Sequence, residues 1–249
     1  MKKQNRLSVI VKEIRDFCST NADEKTAARY AKFFKEGYDA YGIDKDLWEQ
    51  QKTYWIETYR EELGLQGFLD VGDLLMSGGK YEEASFAIVC LVPFQKQFTR
   101  DTFQRVGAWL ESGIRNWAHT DILCGNVISL FIQQGIVTLD DFSSWRDSVS
   151  KWKRRAVPVS MLTLLQETNN YEPLLEFLRP LMMDTERVVH QGLGWFLREA
   201  WKKNPKPVEA FLLEWKDAAP RLIFQYATEK MTPEQKARFR REGKKKGSG

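Results

Sequence analysis

The sequence predicts an all-α protein, and three observations support that fold class. Apolar residues recur at helical spacing in several long segments. Stretches that break helices separate these segments, and no sustained alternation of apolar and polar residues marks a β-strand. The segments with the clearest helical periodicity are AARYAKFFKEGYDAY (27–41), KDLWEQQKTYWIETYREEL (45–63), DTFQRVGAWLESG (101–113) and RVVHQGLGWFLREAWKK (187–203).

The connections between these segments contain residues that end and begin helices. Thr138 and Thr232 precede helical runs and are expected to begin helices, because a threonine hydroxyl can accept a hydrogen bond from a first-turn amide. The apolar run SFAIVCLV (85–92) has strand propensity, but its flanks also suit a buried helix, which we favour. The breaking stretches occupy positions 41–44, 76–80, 133–141 and 204–207.

Three tryptophans indicate that the helices form a repeat array. Trp117, Trp152 and Trp195 lie 35 and 43 residues apart, and each occupies an amphipathic helix with a charged neighbour. Periods of about 40 residues are typical of HEAT-like arrays, in which equivalent helices line one concave face. The sequence therefore predicts an α-solenoid of HEAT-like helical repeats. We expect a single domain over residues 1–235 and a basic, disordered tail over residues 236–249.

Composition narrows the class of protein. The chain has 249 residues, 43% of them hydrophobic, and a formal net charge of +4, which suits a folded protein with a substantial core. The mild positive charge permits nucleic-acid binding only where basic residues cluster. No apolar run approaches the length of a membrane span. We therefore expect a cytoplasmic protein without membrane contact, and a monomer because no coiled-coil seam is visible.

The segment RNWAHTDILCGNVI (115–128) contains the first candidate site. Trp117 and Asp121 are four residues apart, so they face the same side of a helix. An indole ring and a carboxylate on one face can bind a cationic group. One alternative is a packed tryptophan beside an unrelated acid. Another is an aspartate that only favours the positive N-terminal end of its helix.

The segment SKWKRRAVPVS (150–160) places three consecutive cations, Lys153, Arg154 and Arg155, at the start of a helix. Cations are unfavourable at a helix N-terminus, so a compensating anion is expected there. A phosphate group would serve, because arginine binds phosphate through two parallel hydrogen bonds. The alternatives are a solvated charge cluster and an internal ion pair between Arg155 and an acid such as Asp121.

The third candidate segment, HQGLGWFLREAWKK (190–203), places two glycines beside Trp195. Gly192 and Gly194 weaken a helix interior, but they allow a partner to approach closely. A core tryptophan with glycines that serve helix packing is the alternative interpretation.

The sequence contains no motif that indicates a metal site, a nucleotide-binding site or a serine-hydrolase site. His119 and His190 are 71 residues apart and have no flanking metal-ligand spacing. The three cysteines are widely spaced among apolar residues and are expected to be free, buried thiols. There is no phosphate-binding loop and no G-x-S-x-G motif. We therefore expect no metal and no cofactor.

Together these segments resemble one known family. RNWAHTD, KWKRRAV and GLGWFLREAWKKNP are similar, in order and spacing, to segments of the AlkD-type DNA alkylation repair enzymes, which are HEAT-like alkylpurine DNA glycosylases. AARYAKFFK also resembles the first segment of that family. The resemblance covers residues 10–225 and is most specific at GLGWFLREAWKKNP.

The resemblance implies a reaction and roles for individual residues. The family hydrolyses the N-glycosidic bond of cationic alkylated purines, such as 3-methyladenine and 7-methylguanine, in double-stranded DNA, without deep base flipping. It implies that Trp117 and Trp195 are cleft tryptophans and that Asp121 is the catalytic carboxylate. Arg155 is implied to contact a phosphate, and Tyr30 is the family's N-terminal tyrosine. Further DNA contacts along a concave DNA-binding groove are expected from Arg154, Lys153, Lys202 and Lys203.

Base excision repair of alkylated DNA is thus the predicted function, with two alternatives. One is a DNA-structure-binding relative that lacks glycosylase activity, and the other is a HEAT-like protein-interaction scaffold. The chain departs from the family pattern at Ala118, where a second acid is common, and at His119, whose role the sequence does not define. Its loop at residues 41–50 also lacks the family's proline.

Overall fold

The computed structural model describes residues 2–241, which consist of helices, turns and loops. The absence of β-strands from these residues confirms the predicted all-α class. Two compact units divide the chain, Met1–Thr138 and Leu139–Gly249, and the single domain over residues 1–235 stays a prediction. Within residues 2–241, no helix combines the length and the apolar character needed to span a membrane.

The N-terminal unit is built from seven α-helices among its described residues. A 3₁₀ turn at Val92–Gln97 follows the fourth helix, and a π-helical turn at Cys124–Ile128 joins the sixth helix to the seventh. The helices are α1 (Lys2–Thr20), α2 (Glu24–Ala31), α3 (Lys45–Met76), α4 (Tyr81–Val89), α5 (Arg100–Ser112), α6 (Trp117–Leu123) and α7 (Ser129–Gln133).

Aromatic residues dominate the core of the N-terminal unit, where α3 packs against α1 and α4. Trp55 is fully buried, and its ring makes edge contacts with Phe17 at 5.3 Å and Phe86 at 5.4 Å between centroids. Each such pair contributes about 0.5–1.5 kcal/mol beyond the burial of its area. The buried polar ends are satisfied by Glu13, which accepts hydrogen bonds from the Trp55 indole at 2.9 Å and from the Tyr59 hydroxyl.

Local sequence patterns set most helix boundaries in this unit, with one exception. The helix predicted over 45–63 stops where expected, because Gly64 has a φ of 55° and breaks α3 at that point. The run at 85–92 is helical in α4, as predicted. The helix predicted over 27–41 is wrong beyond Ala31, where the chain leaves the helix and reaches Gly37 with a φ of 106°. Beyond that point, Phe34 and Tyr38 pack against Tyr81 of α4 instead.

The C-terminal unit also contains seven α-helices among its described residues. Its 3₁₀ turns occupy Leu139–Phe142, Leu164–Gln166 and Arg179–Met183. The helices are α8 (Ser143–Arg146), α9 (Lys151–Ser160), α10 (Glu172–Leu178), α11 (Arg187–Lys203), α12 (Pro205–Trp215), α13 (Arg221–Ala227) and α14 (Pro233–Ala237).

Helix α11 is the centre of this unit and packs closely against α9 and α13. A Cβ added at Gly194 would lie 2.5 Å from the Tyr226 Cβ and 2.8 Å from the Ile223 carbonyl oxygen of α13. A Cβ added at Gly192 would lie 3.2 Å from the Cγ of Arg155 in α9. The two glycines therefore serve helix packing, which was the alternative interpretation of this segment.

The last described residues pack against the C-terminal unit. Thr232 caps α14 through a reciprocal pair of hydrogen bonds with Gln235, as its position in the sequence predicts. Beyond α14, Phe239 is buried and Arg238 forms an ion pair with Glu209 at 2.5 Å. Residues 236–241 are thus held by contacts, although the predicted tail begins at 236. The rest of that tail, residues 242–249, lies outside the described residues.

Candidate functional site

Helix α6 presents Trp117 and Asp121 on one face. Asn116 caps the helix, because its side-chain oxygen accepts a hydrogen bond from the His119 amide at 2.9 Å. Trp117 is the first residue of the helix, and Asp121 follows one turn later. Both side chains are half-buried. An indole and a carboxylate are therefore displayed together at the start of a short helix, as their spacing predicts.

The indole ring of Trp117 is held in place by the segment that follows α2. Its ring stacks on Phe34 with 5.3 Å between centroids and 16° between planes. Its Nε1–H donates a hydrogen bond to the Phe33 carbonyl at 3.3 Å. Phe34 in turn stacks with Tyr38 at 4.5 Å. One face of the indole is thus supported by protein, while the half-buried ring keeps surface for a ligand.

His119, whose role the sequence does not define, is a structural residue. It is buried, and its Nε2–H donates to the Tyr81 carbonyl at 2.9 Å, while Nδ1 accepts from the Asn116 side chain at 2.9 Å. These partners require the neutral ring with its proton on Nε2. Burial lowers the pKa of His119 to about 4, although the Tyr81 carbonyl opposes the shift. His119 therefore fixes α6 to the start of α4.

A π-helical turn begins directly after α6. It spans Cys124–Ile128, and its residues Gly125 and Asn126 are exposed. A Cβ added at Gly125 would meet nothing within 4 Å. Single π turns inside helices are frequent at functional sites. Periodicity does not predict this π turn, and the glycine and asparagine inside the apolar run 122–132 are its only local signal.

A cleft of 740 Å³ opens within the N-terminal unit, in the size range of small-molecule sites. Tyr30 and Phe34 line it, and so do Ile122 and Asn126, which flank the start of the π turn. Of the aromatic residues that line this cleft, only Tyr30 was predicted from the sequence to lie at a functional site. The others include Tyr38, Trp48 and Tyr81.

Glu82 anchors the loop on one side of this cleft. Its buried carboxylate accepts hydrogen bonds from three consecutive amides, those of Tyr41 at 2.9 Å, Gly42 at 2.8 Å and Ile43 at 3.4 Å. Gly42 has a φ of 79°, and a Cβ there would lie 2.3 Å from the Asp23 carbonyl oxygen. The loop that lacks the family's proline is therefore fixed by a carboxylate and a glycine instead.

Tyr30 lies near the end of α2 and is exposed on the cleft. The Arg29 guanidinium sits over its ring, 5.0 Å from the centroid. This arrangement places a cation and a phenol together on the surface of the N-terminal unit. The predicted contact between Tyr30 and DNA stays a prediction.

The remaining predicted site residues belong to the C-terminal unit. Trp195 is half-buried on α11 and directly follows Gly194. Arg155 is 4% exposed, and its Nη1 donates to the Val188 carbonyl at 2.6 Å, which ties α9 to α11. The implied roles of Trp195 as a cleft tryptophan and of Arg155 as a phosphate contact stay predictions.

Arg154 makes four internal hydrogen bonds. Its guanidinium binds the Asp184 carboxylate at 2.5 and 3.3 Å, and it donates to the carbonyls of Ser148 at 2.8 Å and Val149 at 3.0 Å. The anion that the cationic start of α9 requires is thus Asp184, supplied by the protein itself. A phosphate contact by Arg154 would have to replace these hydrogen bonds.

The three predicted lysines also have internal contacts. Lys202 pairs with Glu199 at 2.6 Å. Lys203 donates to the Leu165 carbonyl at 3.0 Å and to the Gln166 side-chain oxygen at 2.6 Å. The ammonium of Lys153 lies 5.9 Å from the centroid of the Trp145 ring. Their predicted roles in DNA binding remain predictions.

The structure contains free cysteines and no metal cluster in the part of the chain that it describes. Cys18, Cys90 and Cys124 are all free and buried. Burial raises the pKa of the Cys18 thiol to about 12, so this thiol is not a reactive nucleophile at neutral pH. Among residues 2–241, no group of three His, Cys, Asp or Glu side chains is arranged to hold a metal ion.

Comparisons with known proteins agree with this fold. A predicted DNA alkylation repair enzyme from Enterococcus faecalis has a similar structure, with a TM-score of 0.74 and 16% sequence identity. The match covers 86% of this chain and 98% of the other, and it shows a shared fold. No curated protein matches the sequence significantly. The sequence profile described as DNA alkylation repair enzyme matches residues 15–231. Because this match spans most of the chain, the protein belongs to the DNA alkylation repair enzyme family.

Proposed function

We propose that this protein is a DNA glycosylase that removes cationic alkylated purines, such as 3-methyladenine and 7-methylguanine, from double-stranded DNA. One observation carries the proposal: Trp117, supported by Phe34, shares a half-buried face of α6 with Asp121. The family to which the chain belongs has DNA repair as its role, and the proposed reaction is a specific form of it.

The indole selects the lesion by charge. A purine alkylated at N3 or N7 carries a formal positive charge, and an indole face attracts a cation by roughly 0.5–2 kcal/mol. The stack on Phe34 fixes the ring in advance, so little side-chain freedom is lost when the lesion binds. Trp195 would supply a second indole, as the family resemblance implies. A neutral purine gains much less from these rings.

The carboxylate of Asp121 acts on the sugar. As the bond between C1′ and the purine nitrogen stretches, positive charge develops on the deoxyribose, as in other glycosyl transfers. A fixed carboxylate stabilises that charge and can accept a proton from the attacking water. The bonding electron pair leaves with the purine, which becomes neutral, and the water oxygen forms the new bond to C1′. Because the leaving base is already cationic, the reaction needs neither a general acid nor a metal.

DNA binding is proposed to follow the family pattern, with the base left largely stacked and the backbone held by exposed residues. Tyr30 and Arg29 are exposed on the N-terminal unit, and Lys202 has an exposed side chain on α11. Affinity should fall steeply with salt, since each phosphate contact releases counterions. We propose that the protein acts as a monomer and without a cofactor.

The decisive experiment measures release of 7-methylguanine from duplex DNA. Wild type should release the base, and Asp121→Asn should release it about 100-fold more slowly or worse, with DNA affinity retained. Asp101→Asn, a change of an exposed acid at the start of α5, is the matched control and should behave like wild type.

Three results would contradict the proposal in different ways. Unchanged release by Asp121→Asn would remove the carboxylate from its role. Binding of alkylated duplex by wild type without release would favour the DNA-structure-binding relative. No salt-dependent binding of duplex DNA would favour the protein-interaction scaffold.

A further inference from the structure

The cleft of the N-terminal unit contains a buried polar side chain without a partner. Ser85 of α4 lines the cleft and is 7% exposed, and no hydrogen bond within residues 2–241 engages its hydroxyl. A serine in a helix often donates to the carbonyl one turn earlier, but that carbonyl, of Tyr81, accepts from His119 at 2.9 Å. A buried hydroxyl without a partner is costly, so a ligand that supplies one is favoured.

Aromatic rings on the lining of the cleft are fixed against one another. The Tyr38 ring lies 4.5 Å from Phe34 and 5.1 Å from Tyr81 between centroids. Tyr81 in turn stacks on the buried His119 ring at 4.4 Å. Trp48 also lines the cleft, and its side chain is buried. Rings held in this way lose little freedom when a flat ligand stacks on them, and aromatic side chains are the usual stacking surfaces for unpaired nucleobases.

The polar groups among these rings can recognise the edge of a base. Burial raises the pKa of Tyr38 and Tyr81, and the Glu82 carboxylate and the Tyr30 phenol add to both shifts. The two phenols therefore stay protonated at neutral pH and can donate hydrogen bonds. Asn126, on the π turn, is exposed and lines the same cleft. Its amide offers both a donor and an acceptor, as a base edge requires.

The charges on the lining leave cations, and not acids, for a ligand. Each of the four acids that line the cleft accepts hydrogen bonds from amides or from a lysine of the protein. Arg29 and Lys45 also line the cleft and are exposed, and neither forms an ion pair within the described residues 2–241. They are therefore available to a phosphate group. The acids are Asp23, Asp44, Glu49 and Glu82.

We propose that this cleft binds one unstacked nucleotide, with its base against the aromatic rings and its phosphate on Arg29 and Lys45. Ser85 supplies a hydrogen bond to the base. The volume of 740 Å³ accommodates a base together with its sugar and phosphate. The site goes beyond the proposed glycosylase reaction, which uses Trp117 and Asp121, and it does not require that activity. The nucleotide can belong to single-stranded DNA or be free in solution, since both offer the same base and phosphate.

The test measures binding by isothermal titration calorimetry with three ligands: deoxyadenosine monophosphate, deoxyadenosine and a short single-stranded oligonucleotide of deoxyadenosine. Wild type should bind the monophosphate more tightly than the nucleoside, because only the monophosphate carries the anion. Tighter binding of the oligonucleotide than of the monophosphate would support the site and identify DNA as the source, and the reverse order would support it with a free nucleotide. Binding of neither phosphate-bearing ligand would overturn the proposal.

Tyr38→Leu tests the stacking surface. It should weaken binding of the monophosphate at least about five-fold, because one aromatic wall is lost. Tyr54→Leu is the matched control, since Tyr54 is an exposed tyrosine of α3 outside the lining of the cleft. It should bind like wild type. Equal loss in the two variants would overturn the proposal.

Two further variants test the polar contacts without removing a packed ring. Lys45→Gln should weaken binding of the monophosphate and leave that of deoxyadenosine unchanged. Ser85→Ala should weaken binding of both by about two- to ten-fold. Its free energy of unfolding in urea should match that of wild type, because the hydroxyl has no partner to lose. Unchanged affinities in both variants would overturn the site. The assay contains no alkylated base, so its outcome is independent of the release experiment that tests the proposed function.

Discussion

The two compact units each contain a buried charge that holds main-chain groups, an acid at Glu82 in one unit and a guanidinium at Arg155 in the other. In the N-terminal unit, acids accept hydrogen bonds: Glu82 binds three consecutive amides, and Glu13 binds an indole and a phenol. In the C-terminal unit, guanidinium groups donate them: Arg154 binds two carbonyls, and Arg155 binds the Val188 carbonyl. Both arrangements satisfy polar groups that burial would otherwise leave without partners.

This difference shows that a charged residue identified in the sequence is not always available to a ligand in the folded protein. The three cations at the start of α9 suggest a phosphate site, because a helix N-terminus disfavours cations. In the structure, Asp184 and main-chain carbonyls compensate Arg154. The N-terminal unit, in contrast, leaves Trp117 and Asp121 half-buried on α6. Its acids thus include Glu82 and Glu13, which bind amides and aromatic side chains of the protein, and Asp121, which is half-buried beside an indole.

The largest expected effect comes from removing the clamp of the C-terminal unit. Arg154→Ala leaves the Asp184 carboxylate, which has 5% side-chain exposure, without its cation. Breaking a buried ion pair from one side costs roughly 3–5 kcal/mol, so the free energy of unfolding in urea should fall by about that amount. Lys202→Ala, which breaks an exposed pair with Glu199, should change it by less than about 1 kcal/mol. Unchanged stability of Arg154→Ala, with a salt slope lowered by about one unit, would instead identify a phosphate ligand.

The second prediction tests whether the C-terminal unit depends on the close packing of α11 against its neighbouring helices. Gly194→Ala should lower the free energy of unfolding by about 1–3 kcal/mol, because the new Cβ would meet Tyr226 at 2.5 Å and a backbone oxygen at 2.8 Å. Gly192→Ala is the matched control, with its nearest contact at 3.2 Å to the Arg155 side chain. Its smaller clash is offset by the helix propensity of alanine. Equal destabilisation by the two variants would contradict this packing.

The third prediction concerns pH and the N-terminal unit. The folded-state pKa of His119 is lowered to about 4, against a model-peptide value of about 6.5. Between these values the unfolded chain binds a proton that the folded chain does not, so stability falls as the pH falls through this window. At one pKa unit per 1.36 kcal/mol, the loss between pH 7 and pH 5 is about 2 kcal/mol.

His119→Gln isolates this effect, because every other titrating group is the same in both proteins. The difference in unfolding free energy between wild type and His119→Gln should shrink as the pH is lowered from 7 to 5. A difference that stays constant over this range would show that His119 is not buried in its neutral form.

The sequence could predict the parts of the fold that depend on nearby residues, but not those that depend on contacts between distant segments. The helix over 187–203 and the end of a helix at Gly64 follow from periodicity and from a glycine, which act within a few residues. The segment 27–41 has the same periodicity, yet its helix ends at Ala31. Phe34 stacks on Trp117, 83 positions further along the chain, and no local pattern reveals that contact.

The candidate site also combines features that depend on nearby residues with contacts between distant segments. The shared face of Trp117 and Asp121 depends only on helix geometry, and the sequence predicts it. The clamp between Arg154 and Asp184 joins residues 30 apart, and Glu82 binds amides about 40 residues away. Such partners depend on the packing of distant elements. Arg154 and Lys202, which the sequence predicts to contact DNA, therefore have partners within the protein that no local pattern reveals.

The smallest expected effect on stability tests whether the supported indole matters for the reaction. Phe34→Leu keeps an apolar side chain but removes the ring that stacks on Trp117, which should cost about 0.5–1.5 kcal/mol of stability. The indole would then no longer be held ready for the lesion, and kcat/KM for 7-methylguanine release should fall by about ten-fold, the equivalent of one such contact. Phe33→Leu is the matched control. Phe33 is exposed, and its contact with Trp117 is made by its main-chain carbonyl, which the substitution retains. If both variants released the base equally fast, the stack between Phe34 and Trp117 would be a packing contact without a part in catalysis. The contrast between the half-buried aromatic face of α6 and the internally paired cations of α9 would then have no consequence for function.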